Sequence, residues 1–247
     1  MPRRKSFFGE CLKKIALIIT CEHASCALPK EYLKHIPQAV LHSHQGWDIG
    51  ALLLAQKIAS SFHSSVTEGH FSRLLIDLNR SLTNSNLISK YLQYELDEQQ
   101  QQALIHKYYL PFRQKIAATV TRALEHNQIV LHLSIHSFTR VYKNKTRQTD
   151  IGILYDPKRA REANFAKQWQ KRLQGHLDTL HIHRNRPYRG YTDGHVSALR
   201  ASTDNENYLG FELEVCNDLL GQGRQKIDTL LCNSLVGFEH FTGITLL

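Results

Sequence analysis

The chain has little of what would tie it to a membrane, a disulfide framework or a repeat array. No stretch of its 247 residues approaches the ~20 consecutive apolar residues that a membrane-spanning helix needs. Five cysteines, Cys11, Cys21, Cys26, Cys216 and Cys232, form an odd set with no CxxC pair. That argues against a disulfide framework and against a zinc site built from thiolates, and leaves most of them as small apolar core residues. Internal repeats, low-complexity blocks and Gly/Ser linkers are all missing, so residues 1–247 read as a single domain. The first fourteen residues mix Arg3, Arg4, Lys5, Lys13 and Lys14 with Phe7 and Phe8. They lack the apolar core and small-residue cleavage site of a secretory signal, so the expectation is a cytoplasmic protein with a short basic lead-in.

What is present in excess is positive charge, a formal +9 at pH 7. The basic residues are scattered rather than gathered into a run, and no nucleic-acid-binding motif accompanies them. Nucleic acid is therefore not an expected partner, whereas a basic surface draws small anionic substrates equally well.

Ile15–Thr20 is a nearly continuous apolar, β-branched run, the mark of a strand covered on both faces. Ser72–Asn79 (SRLLIDLN), Ile129–Ile135, Ile151–Tyr155 and Tyr208–Val215 read as four further strands. Ile49–Phe62 has helical periodicity, with Leu53, Ile58 and the alanines forming the apolar stripe. Asp97–Glu125 is helical, and Pro111 should kink or divide it. Pro157 opens a helix to about Leu173, and a last helix covers roughly Lys226–Phe241. Strands alternating with helices imply an α/β fold: a mostly parallel sheet flanked by helices. Residues 176–207 are the least regular stretch and read as a long active-site loop.

Metal-capable side chains sit just after buried strands: Glu22 and His23, then His136, with Glu214 near the end of the last strand. Ligands of open parallel sheets bind at the carboxyl ends of strands, so these groups can converge. Period-two alternation puts His132, Ser134 and His136 on one face. A single histidine at a strand end is ordinarily a hydrogen-bonded structural residue; the repetition of the pattern is what points to a site. A catalytic zinc takes three protein ligands and leaves a fourth position for water. His23 and His136 supply two. Asp48, just before a helix, is either the third ligand or that helix's N-cap. Glu22 competes with it, but as His23's neighbour on extended chain it should point the other way. Glu214 suits a general base that takes the proton of the attacking water and returns it to the leaving amine. Glu212, on the same face, is the alternative base or a structural partner. Arg80, assisted by Asn79, suits recognition of a substrate carboxylate, or else forms a surface salt bridge. Cys21 and Cys26 flank His23, so thiolate catalysis is a further alternative, although it leaves Asp48, His136 and Glu214 without roles.

The segments TCEHASCALP (20–29), HQGWDIGA (44–51), SRLLIDLNR (72–80), SIHSFT (134–139), DIGILYD (150–156), NRPYRGYTDGH (185–195) and ELEVCNDLL (212–220) resemble the N-formylglutamate amidohydrolase family, in the family's order and over nearly the whole chain. The resemblance implies a three-layer α/β/α fold like that of the zinc carboxypeptidases and the aspartoacylase/succinylglutamate desuccinylase group. It implies one catalytic zinc per chain, although manganese, cobalt or iron fit the same donors. The ligand role falls to His23, His136 and Asp48: the carboxypeptidase relatives place a Glu three residues after the first His, and here that position is Cys26. The general-base role falls to Glu214. Carboxylate binding falls to Arg80 and Asn79, with Arg73, Tyr188, Thr192 and His195 around the substrate. The implied activity is hydrolysis of the amide of a small anionic N-formyl or other N-acyl amino acid, with a different acyl-amino acid, a short peptide, or a homologue that binds metal or anion without turnover as alternatives. One departure stands out: where the family often has Glu-x-Arg, this chain has Glu214-Val215-Cys216, which bears on substrate choice and not on the metal.

Overall fold

The computed structural model describes residues 14–126, 128–176, 179–220 and 225–236. Cys11, most of the basic lead-in and the end of the expected last helix, residues 237–241, lie outside the described residues. Six strands form one sheet in the order β2-β1-β3-β8-β6-β7. They are β1 (Ile15–Cys21), β2 (Val66–Glu68), β3 (Ile129–Phe138), β6 (Ile151–Leu154), β7 (Ile182–Arg184) and β8 (Tyr208–Cys216). The first four in that order run parallel; β6 pairs antiparallel with β8, and β7 follows β6 in parallel. Between β3 and β6 a small hairpin pairs β4 (Val141–Tyr142) with β5 (Lys145–Thr146). Its two turn residues, Lys143 and Asn144, take φ 49° and 59°, the doubly left-handed turn that matches strand twist in tight hairpins.

Helices cover both faces. On one side α2 (Ala51–Ser61), α6 (Ala160–His176) and α8 (Gln225–Leu235) pack on the odd-numbered residues of the central strands, among them Ile19, Leu131, Leu133, Ile135, Phe211, Leu213 and Val215. Phe165 stacks on Phe211 at 4.4 Å, and the Trp169 indole N–H donates to Ser234 Oγ at 2.8 Å, tying α6 to α8. On the other side, a second apolar cluster joins α5 (Leu110–Glu125) and α7 (His195–Thr203) to Ile18, Val130 and Tyr208. Short helices α1 (Gln38–Leu41) and α3 (Lys90–Gln93) and the longer α4 (Glu98–Leu104) complete that layer. Among the described residues no helix is long and apolar enough to cross a membrane.

Several expectations need correction. Ser72–Asn79 is no strand: it runs as successive turns, although Leu74, Leu75, Ile76 and Leu78 are all buried. Those side chains fill the second cluster while the backbone is anchored elsewhere, with Ser72 N–H donating to Ala27 O at 2.8 Å and Arg73 N–H to Gly46 O at 3.2 Å. The short strand β2 takes the sheet edge instead. The helix after Asp48 begins at Ala51, past Gly50 at φ 84°, a left-handed conformation natural to glycine. Its buried stripe is Ala51, Leu54, Ala55, Ile58 and Ala59, while Leu53 is 67% exposed. Pro111 does divide the Asp97–Glu125 helix: a π-helical turn, Ile105–Tyr109, separates α4 from α5 and accommodates the backbone donor that proline lacks. The helix after Pro157 starts at Ala160, because Asp156 closes a turn by accepting from the N–H groups of Lys158 and Arg159 at 2.9 and 3.1 Å. Residues 176–207 are not one loop but contain β7 and α7.

Candidate metal centre and active site

Parallel registration of β1, β3 and β8 brings their even-numbered residues to one face: Thr20 beside Ser134, Ser134 beside Glu212, and His136 beside Glu214. Where a helix would otherwise bring apolar residues, this face is polar and buried. His23 follows β1, Asp48 precedes α2, and His136 lies near the end of β3. One donor atom from each lies within 4.8 Å of the others. All three side chains are buried. The capping alternative for Asp48 fails, since Gly50 holds the cap position and makes no side-chain cap bond. The Asp48 carboxylate is instead held between the two histidines, with Oδ2 at 2.8 Å from His136 Nδ1 and 3.4 Å from His23 Nδ1. Its Oδ1 accepts from the Arg73 guanidinium, and its backbone N–H donates to His23 O at 2.9 Å.

The far nitrogens of both rings decide what this group can bind. His23 Nε2 is 2.7 Å from Asp77 Oδ1, a carboxylate that only accepts, so the ring proton sits there. His136 Nε2 is 2.8 Å from Ser134 Oγ, whose own proton goes to Glu22 Oε2 at 2.6 Å; that ring, too, donates from Nε2. Burial pushes His23 down to about 4, so the ring is neutral near pH 7. In neutral rings both Nδ1 lone pairs then face the Asp48 carboxylate, which makes an electron-rich donor set. Two imidazoles and a carboxylate, each oriented by an outer hydrogen bond, fit a divalent metal ion. Glu22 is not part of the set. Thr20, Ser134 and His195 surround its two oxygens with donors at 2.9, 2.6 and 2.8 Å; burial opposes its ionisation, but the His195 hydrogen bond and the neighbouring histidines His195, His136 and His132 hold it well below the usual carboxylate range.

Glu214 flanks His136 across the β3–β8 pair. It is 6% exposed, and its Oε2 has no hydrogen-bond partner among the described residues. Burial raises its pKa; the Glu212 charge adds to the rise while His136 opposes it. Glu212 is also raised by burial, but a hydrogen bond with Asn79 engages it.

With this geometry in hand, comparison with known proteins is decisive. The family model of N-formylglutamate amidohydrolase matches residues 15–220. The chain belongs to the N-formylglutamate amidohydrolase family. None of the curated proteins matches it. Solved structures similar to it include the following two. The gene product Atu2144 of Agrobacterium tumefaciens superposes with a TM-score of 0.75 at 28% identity, over 90% of this chain and 91% of that one. The N-formylglutamate amidohydrolase of Ralstonia eutropha JMP134 superposes with a TM-score of 0.74 at 16% identity, over 94% and 96% of the two chains. The protein is thus an amidohydrolase-type enzyme on an α/β fold.

Around the centre of this amidohydrolase, the residues expected to meet substrate are placed unevenly. Arg73 is committed to Asp48. Arg80 lies at the rim, 43% exposed, with Nε 3.7 Å from Asp77 Oδ2 and Nη1 donating to Asp193 O at 3.4 Å. Asn79 turns inward: its Oδ1 accepts from the His195 backbone N–H at 2.6 Å. His195 is fully buried at the start of α7, with Nδ1 on Glu22 and Nε2 unpartnered, so it braces the polar face from beneath rather than lining an open loop. Tyr188 is 44% exposed, and its hydroxyl accepts from Arg147 at 3.0 Å. Thr192 donates to its own turn at Arg189 O, 2.8 Å away. Cys26 turns from the centre to His42 Nδ1, 3.5 Å off, and Cys21 is buried with its thiol pKa raised first by that burial, the opposite of what a nucleophilic thiolate needs. Cys216 is buried at the end of β8 and brings no cation to the site.

Asp77, which holds the His23 ring, and Ser134's link from His136 to Glu22 were not singled out from sequence. Asp77 did leave a signal, a lone carboxylate inside Leu74–Leu78, since a buried charge requires a partner.

Proposed function

We propose that the protein hydrolyses the amide of an N-formyl or closely related N-acyl amino acid, using one divalent metal ion, zinc by preference, at His23, Asp48 and His136. The observation that carries this reading is the convergence of two Nδ1 lone pairs and a carboxylate, with both ring tautomers preset from outside, next to the unpartnered Oε2 of Glu214. When bound, the metal supplies Lewis-acid polarisation of the amide carbonyl and acidifies the attacking water. Glu214 takes that water's proton on Oε2. It then delivers the proton to the amide nitrogen as the C–N bond breaks, giving formate and the free amino acid. A raised pKa suits both halves of that transfer, because the protonated carboxyl is then a competent acid. Arg73 keeps Asp48 from turning by holding its outer oxygen, and Asp77 and Ser134 keep the rings oriented. Arg80 at the rim takes the substrate carboxylate as a planar fork. The substrate is a small anion, neither membrane nor nucleic acid takes part, and the four described cysteines, all free thiols, suit the cytoplasm.

Elemental analysis of the purified protein, paired with His136→Ala and a screen of N-formyl and N-acetyl amino acids, tests the proposal. About one zinc per chain, lost in the variant together with activity, is the expected result. No bound metal, and no activity gained on adding zinc, would remove the mechanism.

A further inference from the structure

Two hydrogen-bond arms leave the metal centre, one from each histidine, and they meet at His195. From His136 Nε2 the first runs to Ser134 Oγ at 2.8 Å and on to Glu22 Oε2 at 2.6 Å; Glu22 Oε1 lies 2.8 Å from His195 Nδ1. From His23 Nε2 the second runs to Asp77 Oδ1 at 2.7 Å, which also accepts from the Asn79 backbone N–H at 2.9 Å. Asn79 Oδ1 then accepts from the His195 backbone N–H at 2.6 Å. Asp48 closes the ring on its inner side, facing both Nδ1 atoms. Every side chain of the first arm is buried, where hydrogen bonds are electrostatically stronger than in water.

His195 thus donates twice. Its backbone N–H serves the arm of His23, and its imidazole serves the arm of His136. The Glu22 carboxylate only accepts, so the ring proton of His195 sits on Nδ1. The start of α7 comes unusually near to these groups: a Cβ on Gly194 would lie 2.9 Å from Glu212 Oε1 and 3.3 Å from Asn79 Oδ1. Asp193, one residue earlier, accepts from the Ser81 backbone N–H at 3.2 Å and from Asn84 Nδ2 at 2.6 Å. Bonds on both sides of Gly194 therefore fix the start of α7 against the segment that carries Asp77 and Asn79.

We infer that His195 is a positioning residue for the metal centre. Hydrogen-bonded to neither histidine ligand, it orients His136 through Glu22 and Ser134, and it ties that arm to His23 through Asn79 and Asp77. The inference rests on the metal reading above. It also moves Asn79 from the substrate carboxylate, where the sequence put it, into this ring.

The test is the zinc affinity of the full chain, measured by competition against a chelator, with the unfolding temperature of the metal-free protein as the control for stability. His195→Asn puts an amide N–H where Nδ1 stands and should bind zinc at wild-type strength. His195→Gln carries the same amide one methylene further, past Glu22 Oε1, and should weaken zinc binding by about ten-fold. In a Ser134→Ala background, which cuts the arm between Glu22 and His136, the same His195→Gln change should cost no further affinity. Should His195→Gln not fold, Asn79→Ala cuts the other arm and should also cost about ten-fold, a loss that persists in the Ser134→Ala background because it falls on His23. Unchanged affinity in His195→Gln or in Asn79→Ala, equal losses in the Asn and Gln variants, or a Gln loss undiminished by Ser134→Ala would each overturn the inference while leaving the metal site standing. A wild type that binds no zinc removes the metal reading itself, before any variant is made.

Discussion

The two faces of β3 are equally hidden from water and built on opposite principles. Leu131, Leu133 and Ile135 look toward α2, α6 and α8, and His132, Ser134 and His136 look toward α5 and α7; each of the six side chains is buried. Burial alone does not tell them apart. The odd face gains stability roughly in proportion to the apolar area removed from water. The even face loses the hydration of its polar groups and recovers it only through matched hydrogen bonds. His132 shows the matching: Nε2 lies 3.0 Å from Thr20 Oγ1 and Nδ1 2.7 Å from the Tyr208 hydroxyl. Glu22 shows it again with its three donors. The atoms left unmatched on that face, Glu214 Oε2 and His195 Nε2, are then the informative ones. A face that satisfies so many groups and omits Glu214 Oε2 leaves it free for something that is not part of the chain.

The sharpest break between the faces should come at Glu214. Glu214→Gln keeps the shape of the side chain and removes its capacity as a base. It should lower kcat/KM for the best N-formyl amino acid by a factor of about 10² to 10⁴, with metal content and unfolding temperature retained. Full activity in this variant would transfer the base role, with Glu212 the first candidate.

Much of this division was legible in the sequence. Alternation put His132, Ser134 and His136 on one face of their strand and Glu212 with Glu214 on one face of theirs, and the register brings the two sets side by side. Asp48 was a choice between two local roles that local pattern cannot settle, because ligand and cap both need only a carboxylate ahead of a helix. The structure excludes the cap, which Gly50 occupies, and places Asp48 with His23 and His136 in a group that could hold a metal. The apolar run Leu74–Leu78 misled, since burial by turns and burial in a strand leave the same composition. The ring contacts of Arg147 were legible only in part: Phe138 and Tyr142 are its neighbours in sequence, but Tyr188 comes from a distant segment.

On the odd face the corresponding lesion is a loss of packing. Phe211 is fully buried against Phe165 and Trp169, and Phe211→Ala should cost about 3–5 kcal/mol of stability by denaturant unfolding. The measurement belongs in chelator, so that metal binding does not mask the loss by mass action. The folded fraction should still bind metal with wild-type affinity. A variant that stays folded but no longer binds would show that the faces are not separable.

Smaller effects should follow from the residues that orient the rings. Asp77→Asn keeps an acceptor oxygen for His23 Nε2 but removes its charge, and Ser134→Ala disconnects His136 from Glu22. Each should weaken zinc binding by a factor of about 10 to 100 in competition against a chelator. Unaltered affinity in both would reduce these contacts to structural hydrogen bonds and would leave the tautomer argument without support.

The smallest change probes the boundary itself. Ile135 sits between Ser134 and His136 in sequence, with its side chain on the opposite face and no exposure to solvent. Ile135→Val removes one methylene from the apolar cluster and should cost about 0.5–1.5 kcal/mol. Because the strand backbone is held in register on both sides by β1 and β8, the shift needed to close so small a gap should come from the helices. Zinc affinity and the kcat/KM of the folded protein should then stay at wild-type values. If zinc affinity instead falls along with stability, the strand moves as a unit, and the metal centre depends on the packing behind it as much as on the hydrogen bonds around it.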